Sequence, residues 1–145
     1  MEWLSIEGIM IMCIIMIPNI IFALTHKDGL MNQYHHPLIE TCEQIGRFSS
    51  FALMIIHIPM FMKGFWFPHA HMIYQCINVI FCFLYCFFWI IYWNKDCLIK
   101  SLLLSIIPSL MFILNGVVLC YIPLIVVSLL FAWSHIWISY QNAIK

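Results

Sequence analysis

Residues 32–47, NQYHHPLIETCEQIGR, gather His35, His36, Glu40, Glu43 and Arg47 in one short stretch of an otherwise apolar chain. Imidazoles and carboxylates in such proximity are ligands for metals that favour nitrogen and oxygen, and they are also general acids and bases. Pro37 suits the first position of a helix, which makes His36 the N-cap and turns Glu40 and Glu43 toward one side. A plainer reading competes with the metal. No HExxH-type spacing is present, Glu43 and Arg47 stand four apart as an ion pair would, and acidic residues suit the positive end of a helix. The helix-start reading is the stronger of the two, and no cofactor is implied.

Five further residues carry chemistry at positions that matter: His57, Asn78, Cys82, Tyr85 and His135. An ionisable side chain inside an apolar span is a functional candidate by default. His57 is a candidate proton carrier, cation ligand or solute contact. Equally, a neutral imidazole bonded to Asn78, Tyr85 or a backbone carbonyl would simply hold helices together. A Cys82–His57 nucleophile pair is the one catalytic arrangement on offer, and a cysteine buried among apolar groups is ordinarily inert. No GxSxG is present, no intramembrane aspartate pair, and only five glycines from which a phosphate loop might be built. The HAH at 69–71 falls on the opposite side of the membrane from His35 and His36, so the two pairs do not share a site.

What positions these residues is a membrane bundle. Hydrophobic residues make up 65% of the 145 and charged residues 8%, against roughly 25% charged in a soluble domain. A bilayer span needs about 20 predominantly apolar residues, and several such runs occur between short polar breaks. The fold class read from this pattern is all-α: one domain over residues 1–145, with five transmembrane helices near 3–24, 37–65, 71–93, 98–114 and 118–140. Pro18-Asn19 marks a kink site in the first helix, Pro59 a bend in the second, and Asn115-Gly116 the stop of the fourth. Pro123 fits the first turn of the fifth. A re-entrant unit joining the last two helices is the alternative. Glu2 and Glu7 stand where a signal peptide would carry basic residues, so the first helix reads as uncleaved.

Lys27, Arg47, Lys95, Lys100 and Lys145 fall on one side of such a bundle and only Lys63 on the other. The positive-inside rule then puts the N-terminus outside and the C-terminus in the cytoplasm. Trp3, Trp66, Trp89, Trp93, Trp133 and Trp137 mostly sit toward span ends, as an aromatic belt. The seven cysteines include no CxxC pair and read as small packed hydrophobes. Zero net charge leaves no footprint for nucleic acid.

Helical spacings of three and four define polar stripes. Glu40, Glu43, Arg47, Ser50, Met54 and His57 form one on the second helix. His71, Gln75, Asn78, Cys82, Tyr85, Trp89 and Tyr92 form another on the third. Ser101, Ser105, Ser109 and Asn115 continue on the fourth, and Tyr121, Ser128, Ala132, His135 and Ser139 on the fifth. Lipid satisfies no polar group, so these stripes are expected to face one another. At about 1.5 Å of rise per residue, His57 is expected some 15 Å deeper than Arg47, near the midplane. Together they predict a polar track from the 32–47 stretch to the bilayer centre.

Two patches, IPNIIFAL at the end of the first span and ETCEQIGRFSSF opening the second, resemble uncharacterised small multipass membrane proteins of Gram-positive bacteria with AT-rich genomes. In those proteins a stretch like Glu43-Gln44-Ile45-Gly46-Arg47 likewise follows the first span. The excess of Ile and Phe over Val and Ala is in keeping with such a genome. The resemblance implies a similar helical membrane fold in a bacterial cytoplasmic membrane, and no activity. Three functional readings follow: a small non-enzymatic protein that binds or conducts a polar solute or cation through its interior; an accessory, immunity or regulatory subunit of a membrane complex; or an intramembrane enzyme. The partners implied are the lipid bilayer, with a second copy or another membrane protein beside it.

Overall fold

The computed structural model describes residues 3–27 and 32–145; Glu2 lies outside them. The chain is all-α: α1 (Ile6–Thr25), α2 (Pro37–Ile55), α3 (Ala70–Ile91), α4 (Leu98–Val118) and α5 (Ile122–Ile144). Two isolated bridges, Leu4 with Ile56 and Met62 with Tyr121, are the only β pairing among the described residues. Four helices, α1, α3, α4 and α5, are long and apolar enough to cross a membrane. The outward faces carry large apolar side chains, among them Ile14, Ile17, Val79, Phe83, Ile90, Val126 and Leu129. That is the surface a lipid environment calls for. α4 and α5 are separate helices, each long and apolar enough to cross a membrane.

The helices run alternately up and down, so one end of the bundle gathers the end of α1, the start of α2, the end of α3, the start of α4 and the end of α5. α5 packs along both α4 and α2, α3 lies on α4, and α1 touches α2 and α3 more lightly. The α2–α5 contact depends on Gly46, where an added Cβ would fall 2.8 Å from the Phe131 backbone. A small residue at such a crossing lets two backbones meet.

Several helix bounds differ from the sequence expectation, the ends of α2 and α4 and the start of α5 most of all. α2 ends at Ile55 and does not continue to Phe65. Pro59 disfavours helical backbone at the residue before it, and the chain turns extended at Ile56. There it pairs with the segment leading into α1: Ser5 N donates to Ile55 O at 2.7 Å and His57 N to Trp3 O at 2.9 Å. Pro59 therefore lies outside the helix and bends nothing. α4 passes through Asn115-Gly116 and stops at Val118. Both residues are buried inside it, because tertiary partners outweigh the local stop signal. The chain reverses at Cys120, in the left-handed region with φ of 46°, and Tyr121 N closes the turn on Gly116 O at 2.8 Å. α5 then carries Pro123 in its first turn and extends to Ile144. α1 runs unbroken through Pro18.

Candidate functional site: a cavity at one end of the bundle

α1 and α2 meet at one end and separate toward the other. At Gly8 an added Cβ would lie 1.9 Å from the Met54 carbonyl oxygen, so the two helices touch backbone to backbone there. Farther along, a cavity of about 800 Å³ comes between Ile15, Met16, Asn19 and Phe22 of α1 and Glu43, Gln44, Arg47, Phe48 and Phe51 of α2. Tyr85 and Trp89 of α3, Lys100, Ser101, Leu104, Ser105 and Pro108 of α4, and Phe131, His135, Ile138 and Ser139 of α5 complete its walls. All five helices contribute. Among the described residues, Asn32, Gln33, Glu40, Asp96 and Asn142 surround its mouth.

At its centre stands a three-residue cluster. Glu43 is buried and accepts through one carboxylate oxygen from Arg47 and, at 3.0 Å, from His135 Nδ1 in the tautomer that carries a proton there. His135 is held flat against Phe131, with ring centroids 4.6 Å apart. Arg47 is ten residues past Pro37 in a helix of 19, about 15 Å along its axis and near its middle. The sequence expectation had placed Arg47 near the mouth. The helix proves shorter, so Arg47 is the deep residue. A second polar pair lies beside this cluster: Asn19 Nδ2 donates to the Tyr85 hydroxyl at 2.8 Å and to Ile15 O at 3.0 Å. Ser105 and Ser139 join α4 to α5 through their hydroxyls.

Of the candidate residues, the cavity thus brings together Glu40, Glu43, Arg47, Tyr85 and His135. His57, Asn78 and Cys82 are elsewhere. His57 follows the end of α2, level with Trp3, and stacks edge-on against Tyr121. It is therefore at the far end of the bundle and not at the midplane. Cys82 is twelve residues into α3, about 18 Å from that end, which separates the Cys82–His57 pair. Asn78 and Asn115 bond each other through both amide groups, at 2.7 and 3.1 Å. With Met54, Met111, Phe112, Tyr74 and Tyr121, all buried, they fill the half of the bundle beyond the cavity.

Glu40 and Glu43 do not act together. Glu40 accepts from Asn32 Nδ2 at 3.0 Å and from the His36 backbone at 3.3 Å, with His35 at 3.6 Å. Glu43 turns inward to Arg47 and His135. Among the described residues no three His, Cys, Asp or Glu converge as a metal site would require. His69 occupies the N-cap of α3 without a side-chain cap bond; His71 meets Glu7 at 3.4 Å, outside the bundle.

Sequence reasoning missed Lys100. Used there only to orient the chain, it lines the cavity with its side chain 8% exposed. Its signal was a lysine in the first turn of an apolar helix, one residue before the Ser101–Ser105 stripe. Trp89, read as belt, is buried against it. No protein-family model matches this chain, and neither the curated proteins nor the solved structures contain a match to it.

Proposed function

We propose that this chain is a multipass protein of a bacterial cytoplasmic membrane that binds a small polar or amphipathic solute in a cavity open to the cytoplasm. The observation that carries the reading is the Glu43–Arg47–His135 cluster, set at mid-depth in a cavity that all five helices line. Charged groups at that depth are expensive and mark a site. In this reading α2 is the fifth span. Its 19 residues reach about 28 Å, close to the roughly 30 Å of a bilayer core, and its polar face turns away from lipid. Lys27, Lys95, Lys100 and Lys145 belong to the cavity end, which the positive-inside rule assigns to the cytoplasm.

Binding is favoured over conduction because the far half is packed around the Asn78–Asn115 pair. Among the described residues, Cys82 and His57, the nucleophile and base weighed for catalysis, lie far apart. The resemblance to small bacterial membrane proteins agrees with this placement. Labelling tests the reading: in a cysteine-free version carrying Ser139→Cys, a charged, impermeant maleimide is expected to react only in inside-out vesicles. Labelling from the outer face overturns the orientation. A cysteine unreactive from either face overturns the open cavity.

A further inference from the structure

The wall of the cavity formed by α3 and α4 carries an ammonium, that of Lys100, and a buried indole N–H, that of Trp89. Lys100 Nζ lies over the faces of Phe22 and Trp89, 4.3 and 5.5 Å from the ring centroids. Among the described residues its hydrogen bond is a long one, 3.5 Å to Trp93 O. Its acidic neighbour among the described residues is Asp96 at 3.6 Å, a side chain 90% exposed, and an ion pair so open to water is weak. Trp89 Nε1 is buried beside the Tyr85 hydroxyl, with no hydrogen bond completed among the described residues. An indole N–H has no role except to donate. Lys100 is also in the first turn of α4, whose N-cap, Cys97, offers no side-chain bond to the free N–H groups there. A lysine at the positive end of a helix is itself unfavourably placed. An ammonium, a buried indole N–H and an uncapped helix start on one cavity wall call for an acceptor carrying negative charge. The one buried carboxylate of the cavity, Glu43, is already engaged by Arg47 and His135.

The opposite wall is of another kind. Met16 of α1 and Phe48 and Phe51 of α2 are apolar. Gln44 and Phe48, one turn apart, line the cavity and are also exposed, so the seam between α1 and α2 stands open at that level. We propose that the cavity takes the oxyanion headgroup of an amphiphile, with the phosphate held by Lys100, Trp89 and the first turn of α4, and the apolar chain lying along Met16, Phe48 and Phe51. This rests on the solute-binding reading above and gives its ligand a charge and a shape. A free phosphate and a lipid headgroup share the chemistry and differ in whether the apolar wall is used.

The test uses the full chain in an uncharged maltoside detergent, with radiolabelled dodecyl phosphate as probe. Dodecyltrimethylammonium and inorganic phosphate serve as competitors. Saturable retention of dodecyl phosphate is expected, weakened at least tenfold by Lys100→Gln and restored by Lys100→Arg. Displacement by inorganic phosphate alone identifies a free oxyanion as the ligand; failure of inorganic phosphate to displace identifies a lipid-like one. If the ammonium competes as well as unlabelled dodecyl phosphate does, or Lys100→Gln binds as wild type, the anion site is overturned while the binding cavity stands. If neither amphiphile is retained by the wild-type protein, both readings fall. The competition in wild-type protein decides the charge preference even where Lys100→Gln does not fold.

Discussion

The two halves of this bundle use the same kinds of residue for opposite ends. In the cavity half, Glu43, Arg47 and His135 meet across α2 and α5 around open space. In the far half, Asn78 and Asn115 meet across α3 and α4, and the Tyr121 hydroxyl meets the chain after α2 at Ile56 and Ile58, with the Asn78, Asn115 and Tyr121 side chains buried. Both sets belong to stripes of spacing three and four. A polar stripe on a membrane helix is therefore not one feature. Where neighbouring helices separate it makes a site, and where they close it makes a joint.

The largest effect is expected where the two halves divide. Gly8 seats α1 on the Met54 carbonyl, and any Cβ there strikes backbone that has no side chain to move aside. Overpacking usually destabilises by about 1–3 kcal/mol, occasionally more. Gly8→Leu is expected to reach the top of that range, with a lower melting temperature in detergent and poor recovery of monodisperse protein. A melt close to wild type would mean that α1 is not seated this way, and the comparison of a closed and an open end would lose its hinge.

Next comes the joint. Asn78→Leu leaves the buried Asn115 amide without its partner, a loss of about 1–3 kcal/mol. The double change Asn78→Leu, Asn115→Leu removes both polar groups and is expected to recover more than half of that loss. Retention of dodecyl phosphate should be unchanged in both. If the single change abolishes retention while the melt is preserved, the far half belongs to the site after all. Glu43→Gln is the matching change in the cavity half. Arg47 there is more than a third exposed, and Gln keeps an oxygen for it to donate to, so the loss in stability is expected to be smaller than at the joint. A loss as large as that from Asn78→Leu would show the cavity to be as dry as the joint.

How much of this was legible in the sequence follows from the same contrast. Apolar runs and low charge gave the membrane class, and the starts of α2 and α4 were readable because Pro37 and the polar NKD break at 94–96 act locally. The ends of α2 and α4 were not. Ile55 is an end because the chain there pairs with the residues before α1, upstream of the local break at Pro59, and α4 passes Asn115-Gly116 because Asn115 has a partner on α3; the pairing and the partner are tertiary. Depth inherits the error. Carrying α2 on to Phe65 put His57 at mid-membrane and Arg47 at the surface, whereas the observed bounds put Arg47 in the middle. Lys100 escaped notice because nothing in its neighbours along the chain tells whether a first-turn lysine reaches water or folds back over Phe22 and Trp89.

The smallest effect contrasts the two histidines. His135 has a carboxylate at 3.0 Å; His57 has Nε2 buried without a partner. Burial lowers the pKa of His57 below its ordinary 6.5, and the charge of Glu7 opposes that shift without cancelling it. A histidine held neutral in the fold binds fewer protons than in the unfolded chain, so stability rises with pH across its titration. The contribution is complete above about pH 6.5, the unfolded value, and is lost as the pH falls from there through the lower folded value. Melting temperature is therefore expected to decline between pH 7 and pH 5, and His57→Phe, which keeps an aromatic ring against Tyr121, to flatten part of that decline. The far half has no other described histidine so enclosed, since His69 and His71 are exposed. An unchanged slope in His57→Phe would show that the acid sensitivity does not come from His57, and the contrast between the two ends would not extend to pH.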